Sequence, residues 1–175
     1  MIRPLKQLIL TTFVVLITAM LFPSTLKSQT RSYTAENLDY VLVLPSPQWR
    51  AINVPGIAND TQFRYDDHSA VKLRIRRELV SADATVTDLI QRQYQADRAF
   101  FRGYVMEKAE PFEGHLSGAT YAYEYVTNGK LTARLTYYLE ANNRVIYRLE
   151  FAGSPDQLRS LSEQTNLIAQ SFRLK

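Results

Sequence analysis

The chain has 175 residues, 46% of them hydrophobic and 22% charged, with no cysteine and a formal net charge of +4. Those fractions belong to an ordinary globular protein and exclude long disorder, while the lack of cysteine excludes disulfides, thiolate metal sites, a cysteine nucleophile and a cysteine-borne lipid anchor. The charge is unevenly placed: residues 1–30 carry Arg3, Lys6 and Lys27 and no acid, so the remainder, with 18 Lys and Arg against 17 Asp and Glu, is close to neutral and has no general attraction to nucleic acid.

The N-terminus has the layout of an export signal. Arg3 and Lys6 precede an apolar run from Leu8 to Phe22, and a polar exit follows from Pro23 to Thr30. Positive charges stay on the cytoplasmic side while the apolar run enters the translocon. Two readings stand. One is a cleaved signal peptide, with Leu26, Lys27 and Ser28 as the best cleavage sequence. The other is an uncleaved anchor over residues 7–26, because the uncharged stretch approaches the ~20 residues that span a bilayer. Either way residues 1–30 are a targeting segment, residues 31–175 are a single domain, and the protein is exported, periplasmic or extracellular.

From residue 31 the pattern is one of short strands and two helices. Residues 39–44 read as a strand stopped by Pro45 and Pro47, and residues 49–54 as its neighbour, closed by a turn at Pro55 and Gly56. Residues 70–78 alternate with a period of two, Val71, Leu73 and Ile75 on one face and Lys72, Arg74 and Arg76 on the other. Thr85 and Asp88 have capping-box spacing. Behind them Val86, Leu89, Ile90, Tyr94 and Phe101 predict a helix, with Gly103 as its stop.

A meander follows, with strands over 104–112, 119–127, 131–139 and 145–151. Asn128 and Gly129 make a two-residue hairpin turn, since both tolerate positive φ. Ser154, Pro155 and Gln157 then open a last helix whose apolar stripe is Leu158, Leu161, Ile168, Ala169 and Phe172. The fold class is α+β, an antiparallel sheet flanked by helices.

The stretch from Tyr40 to Trp49, a strand ending in Leu44 and Pro45 and followed by Trp49, resembles the start of PsbP-like domains. So does the order after it: a basic alternating strand, a helix, a hairpin meander and a final helix ending in Ser171 and Phe172. The resemblance covers residues 33–175. It implies an α-β-α sandwich used for binding or assembly: plant members assist photosystem II, some distant relatives bind a small GTPase, and related bacterial proteins are mostly exported. It brings no catalytic set with it.

Each candidate catalytic group has a plain structural reading. Asp66, Asp67, His68 and Ser69 precede a strand and are common turn residues. Glu110, Glu113, His115 and Ser117 surround a loop with Gly114 and Gly118 that gives poor support for three or four converging metal ligands. No nucleophile elbow, zinc-protease helix, P-loop or dinucleotide fingerprint occurs. Tyr121, Tyr123, Tyr125, Tyr137, Tyr138 and Tyr147 read as core ahead of a stacking surface. Asn59, Asp60 and Thr61 form a glycosylation sequon, relevant only in a eukaryotic secretory pathway.

The expectation is therefore a non-catalytic exported binding or assembly module, without cofactor or catalytic metal. Its partner is a protein, an anionic lipid or a glycan, docking on a basic strip of Lys72, Arg74, Arg76 and Arg77. The competing account of that strip is neutralisation by Glu124, Glu140 and Glu150 on neighbouring strands. The rival function is a small exported hydrolase using His68 or His115 with nearby carboxylates.

Overall fold

A computed structural model describes residues 30–34, 38–52, 60–142 and 144–175, so residues 1–29 of the expected targeting segment, Asn59 and the turn expected at Pro55 and Gly56 lie outside the described residues. Ten strands and three helices are present among them. The strands are β1 (Arg31–Tyr33), β2 (Tyr40–Leu44), β3 (Trp49–Ile52), β4 (Asp60–Tyr65), β5 (Lys72–Leu79), β6 (Arg102–Phe112), β7 (Gly118–Thr127), β8 (Lys130–Asn142), β9 (Val145–Gly153) and β10 (Arg173–Leu174). The helices are α1 (Val86–Phe100), α2 (Pro155–Ser160) and α3 (Ser162–Ser171). Seven strands form one antiparallel sheet in the order β3-β4-β5-β9-β8-β7-β6, and β1-β2-β10 form a small second sheet.

Alternation in the strands assigns each residue to a layer. Leu73, Ile75, Leu149 and Phe151 face one side, where they meet α2, α3 and the small sheet in the main core. Tyr121, Tyr123, Tyr125, Tyr138 and Ile146 face the other side and pack under Val86 and Ile90 of α1. The result is an α-β-α sandwich, and the tyrosine stripe is core, as expected. Full burial of one such ring contributes on the order of 2–3 kcal/mol.

The residues that suggested PsbP-like domains come together in space. Tyr40 stacks on Phe172 at 4.8 Å between ring centroids, the backbone N–H of Val43 donates to Ser171 Oγ at 2.9 Å, and Trp49 Nε1 donates to Gln164 Oε1 at 3.0 Å. The N-terminal strand and the C-terminal helix thus close one corner of the core.

Local signals mostly do what the sequence asks of them. Thr85 and Asp88 form a reciprocal capping box on α1, and Ser154 and Gln157 form another on α2. Asn128 and Gly129 both have positive φ, 50° and 72°, which is the two-residue hairpin geometry.

Four expectations need correction. The strand at Trp49 pairs with β4, not with β2, which lies in the small sheet. Gly103 is not the stop of α1: the helix closes at Phe101, whose N–H returns to Asp97 O, and Gly103 (φ 59°) serves an irregularity at the start of β6, against Val126. The final helix is two, because Leu161 leaves helical geometry (φ −101°, ψ 8°) and its N–H folds back on Gln157 and Leu158 carbonyls. Strands β1, β4 and β10 were not foreseen.

The exposed edge strand β6 carries two register shifts, Lys108 and Pro111. Bulges, lysine and proline are the devices that stop an edge from pairing with another chain.

Candidate binding surface

The order of the seven strands decides which part of the sheet stays uncovered. Helix α1 lies over the β6–β7 end of the sheet, with Val86 and Ile90 in the same cluster as Tyr138 of β8 and Ile146 of β9. On the same side, β3, β4 and β5 carry no helix among the described residues, and the register lays their outward residues out in rows.

The first row is basic across three strands. Arg50 stands directly opposite Arg64, and Arg64 directly opposite Lys72. Like charges facing each other across a sheet destabilise it. Arg50 is relieved by Asp67 at 2.8 Å, an exposed pair worth little in water. Arg64 and Lys72 are exposed and form no ion pair among the described residues.

The next rows are largely neutralised. Arg74 pairs with Asp60, which is itself buried. Glu150, nearly buried, is shared by Arg134 and Arg148 at 3.5 Å and by Arg76 at 3.7 Å, and Arg148 also reaches Glu78 at 2.9 Å. Burial pulls the Arg76 guanidinium below its ordinary pKa, with Glu150 working in the opposite direction. Burial also opposes the charge on Arg134 and Arg148. For Arg134, Glu150 and the phenols of Tyr123 and Tyr125 outweigh it, and for Arg148 the phenol of Tyr138 with Glu78 and Glu150 does, so both pKa values lie above the usual one. These two arginines also lie over rings, Arg134 at 5.4 Å from the centroid of Tyr125 and Arg148 at 5.2 Å from that of Tyr138. They mark the border between the helix-covered half of the face and the open half.

The predicted strip along β5 is therefore placed as follows. Lys72 belongs to the exposed basic row. Arg74 and Arg76 are held in internal ion pairs, with Glu150 among the acids expected to do this and Asp60 not foreseen. Arg77 lies on the opposite face, beside Tyr147 in register, with its Nε 3.5 Å from Asp39. Arg50, Arg64, Arg134 and Arg148 were missed. Their signal was the alternation of charge with apolar residues in β3, β4, β8 and β9, but only the strand order shows that they share a face with Lys72. Glu140 sits at the far end of β8 and Glu124 on the other face of β7, so neither joins this surface.

The candidate catalytic groups do not converge. His68 and His115 are exposed in turns at opposite ends of the sheet. The first cluster closes its own turn: Asp66 Oδ1 accepts from the His68 N–H at 3.2 Å, and Ser69 Oγ accepts from the Val71 N–H at 3.1 Å. The His115 N–H donates to Gln170 O at 3.3 Å. Among the described residues, no group of three or more His, Asp or Glu could hold a metal ion.

No protein-family model matches the chain, and no curated protein matches it in sequence. Similar folds are found among solved structures. Cyanobacterial PsbP from Synechocystis sp. PCC 6803 superimposes with a TM-score of 0.63 at 17% identity, covering 88% of this chain and 97% of that one. Mog1p, a Ran-binding protein of Saccharomyces cerevisiae, gives 0.61 at 6% identity, covering 84% and 96%. LpqN of Mycobacterium tuberculosis, involved in cell envelope biogenesis, gives 0.59 at 15% identity, covering 85% and 92%. The chain has the PsbP-like fold.

Proposed function

We propose that this protein is a non-catalytic binding or assembly module, carried out of the cytoplasm by residues 1–30, that takes an acidic protein partner on the open half of its sheet. The observation that carries the reading is the row of Arg50, Arg64 and Lys72 on adjacent strands. A sheet gains no stability from three cations abreast, and an exposed row of this kind has a use only when something acidic lies on it. The arginines behind the row are held rigid by Glu150 and Asp60, so the surface is preorganised. The similar folds support a protein partner, since Mog1p binds Ran, and LpqN, which acts in envelope biogenesis, fits a setting outside the cytoplasm. A hydrolase built on His68 or His115 has no comparable support, because the carboxylates and hydroxyl near His68 are spent on the turn and on Arg50.

The experiment is a titration of the folded protein with an oligoglutamate peptide, followed by backbone amide shifts. Shifts should concentrate on β3, β4 and β5, weaken with salt, and vanish in the double variant Arg64→Glu with Lys72→Glu. Both side chains are exposed, so the variant should keep its melting temperature. Shifts that spread evenly over the molecule, or that survive the double reversal, would reject this surface as the docking site.

A further inference from the structure

A second surface, at the end of the molecule where the β7–β8 hairpin turns, shows a different chemistry. Phe100, the last residue of α1, is 82% exposed. Val126 and Leu131, which flank the Asn128 and Gly129 turn and face each other across the hairpin, are 40% and 49% exposed. Val105, on the adjoining strand, is 59% exposed. Arg102 is paired directly with Val126, Lys130 lies in the hairpin next to Leu131, and Arg98 sits in the last turn of α1. Asp97 is turned inward and buried, accepting from Gln93 Nε2 at 2.8 Å, and Glu124 stands two residues inward of Val126. The end of the molecule thus combines bare apolar side chains with a collar of three cations.

The placement of the apolar groups distinguishes among occupants. Phe100 lies on the side of the sheet that α1 covers, whereas Val105, Val126 and Leu131 point to the opposite side, as the alternation about Tyr125 requires. A groove on a protein partner would bury one side and leave the other in water. A fluid apolar medium surrounds the end and takes both at once. Basic residues just behind exposed apolar ones match an anionic headgroup layer above the acyl chains. We infer that the β7–β8 hairpin end, with Phe100, Val126 and Leu131 at its tip and Arg98, Arg102 and Lys130 around it, seats the domain on a bilayer surface containing anionic lipid. This is peripheral docking, independent of any crossing by the N-terminal segment and of the acidic partner on the open sheet. Among the described residues no helix is long and apolar enough to cross a membrane.

Because the chain has no cysteine, a single label can be placed at will. An environment-sensitive fluorophore on Thr127→Cys, at the hairpin tip, is compared with the same label on Ala82→Cys, beside the N-terminus of α1 at the far end of the sheet. The full-length protein is mixed with vesicles of phosphatidylcholine, alone or with phosphatidylglycerol, some carrying acyl-chain quenchers. With anionic vesicles the Thr127→Cys label should shift to the blue and be quenched, while the Ala82→Cys label should stay in water. Phe100→Ser with Leu131→Ser should cut the quenching several-fold, and Arg102→Glu with Lys130→Glu should remove the dependence on phosphatidylglycerol. All four are exposed positions, so near-UV circular dichroism should be unchanged. Equal responses from the two labels would reduce the binding to the N-terminal segment and overturn the proposal. So would a Thr127→Cys response that rises with protein concentration without vesicles, which would assign the end to contact between two copies.

Discussion

Glu150 shows how a single carboxylate can make a basic surface possible. It is nearly buried and accepts charge from Arg76, Arg134 and Arg148 together. Removing one partner of a buried ion pair costs more than the pair is worth, because the remaining charges stay desolvated. Glu150→Gln keeps the shape and deletes the charge, so it should destabilise the fold by about 3 kcal/mol, read as a lower midpoint in urea with an unchanged slope. Arg64→Gln, at an exposed member of the basic row that forms no ion pair among the described residues, should be neutral or slightly stabilising. An equal loss in both would mean that the three-way sharing by Glu150 contributes nothing special. The sequence exposed part of this. Val71, Leu73 and Ile75 announced which side of β5 is buried, and Glu150 was among the acids expected opposite. Asp60 was not, because β4 has only Phe63 fully buried and no alternation strong enough to mark it as a strand.

At the scale of elements, what was legible was local. The two capping boxes, the Asn128 and Gly129 turn and the alternation in β7, β8 and β9 are each specified within a few neighbouring residues. Losing one cap typically costs about 1 kcal/mol. Thr85→Ala and Ser154→Ala should each lower the melting temperature by about 3 °C, and Thr85→Ser should restore most of the first loss. A loss confined to one helix would show that the other is held by packing alone. What was not legible depended on distant partners. Strands β1 and β10 have three and two residues, too short for any period, and exist because β2 pairs with both. Nor could periodicity announce the break at Leu161, since Leu158 and Leu161 face the core on one side of it and Ile168 and Ala169 on the other.

For the whole molecule, strand order sets both the proposed docking surface and the fragility. The sequence of strands β3-β4-β5-β9-β8-β7-β6 puts the basic row at one edge and the tyrosines at the other, under α1. Tyr40, Tyr121, Tyr123, Tyr137, Tyr138 and Tyr147 are all essentially buried, and burial is the leading cause that pushes each phenol above its ordinary pKa of 10.0, with Tyr138 raised to about 12. In the unfolded chain these phenols would ionise near 10; in the fold they keep their protons. The neutral form is favoured by folding, so the stability it contributes is intact below about pH 10 and is lost as pH rises above that value. Each tyrosine lowers stability by about 1.4 kcal/mol per pH unit in that window, and six acting together exhaust a typical stability of 5–15 kcal/mol within one or two units. Alkaline titration followed by phenolate absorbance and near-UV circular dichroism should therefore show a cooperative step, in which these tyrosines ionise only as tertiary structure collapses. Smooth ionisation of all eleven tyrosines with the dichroism intact would mean that the stripe under α1 is open to solvent. Phe substitution at Tyr138, whose hydroxyl is buried without a hydrogen-bond partner, should move the step to higher pH.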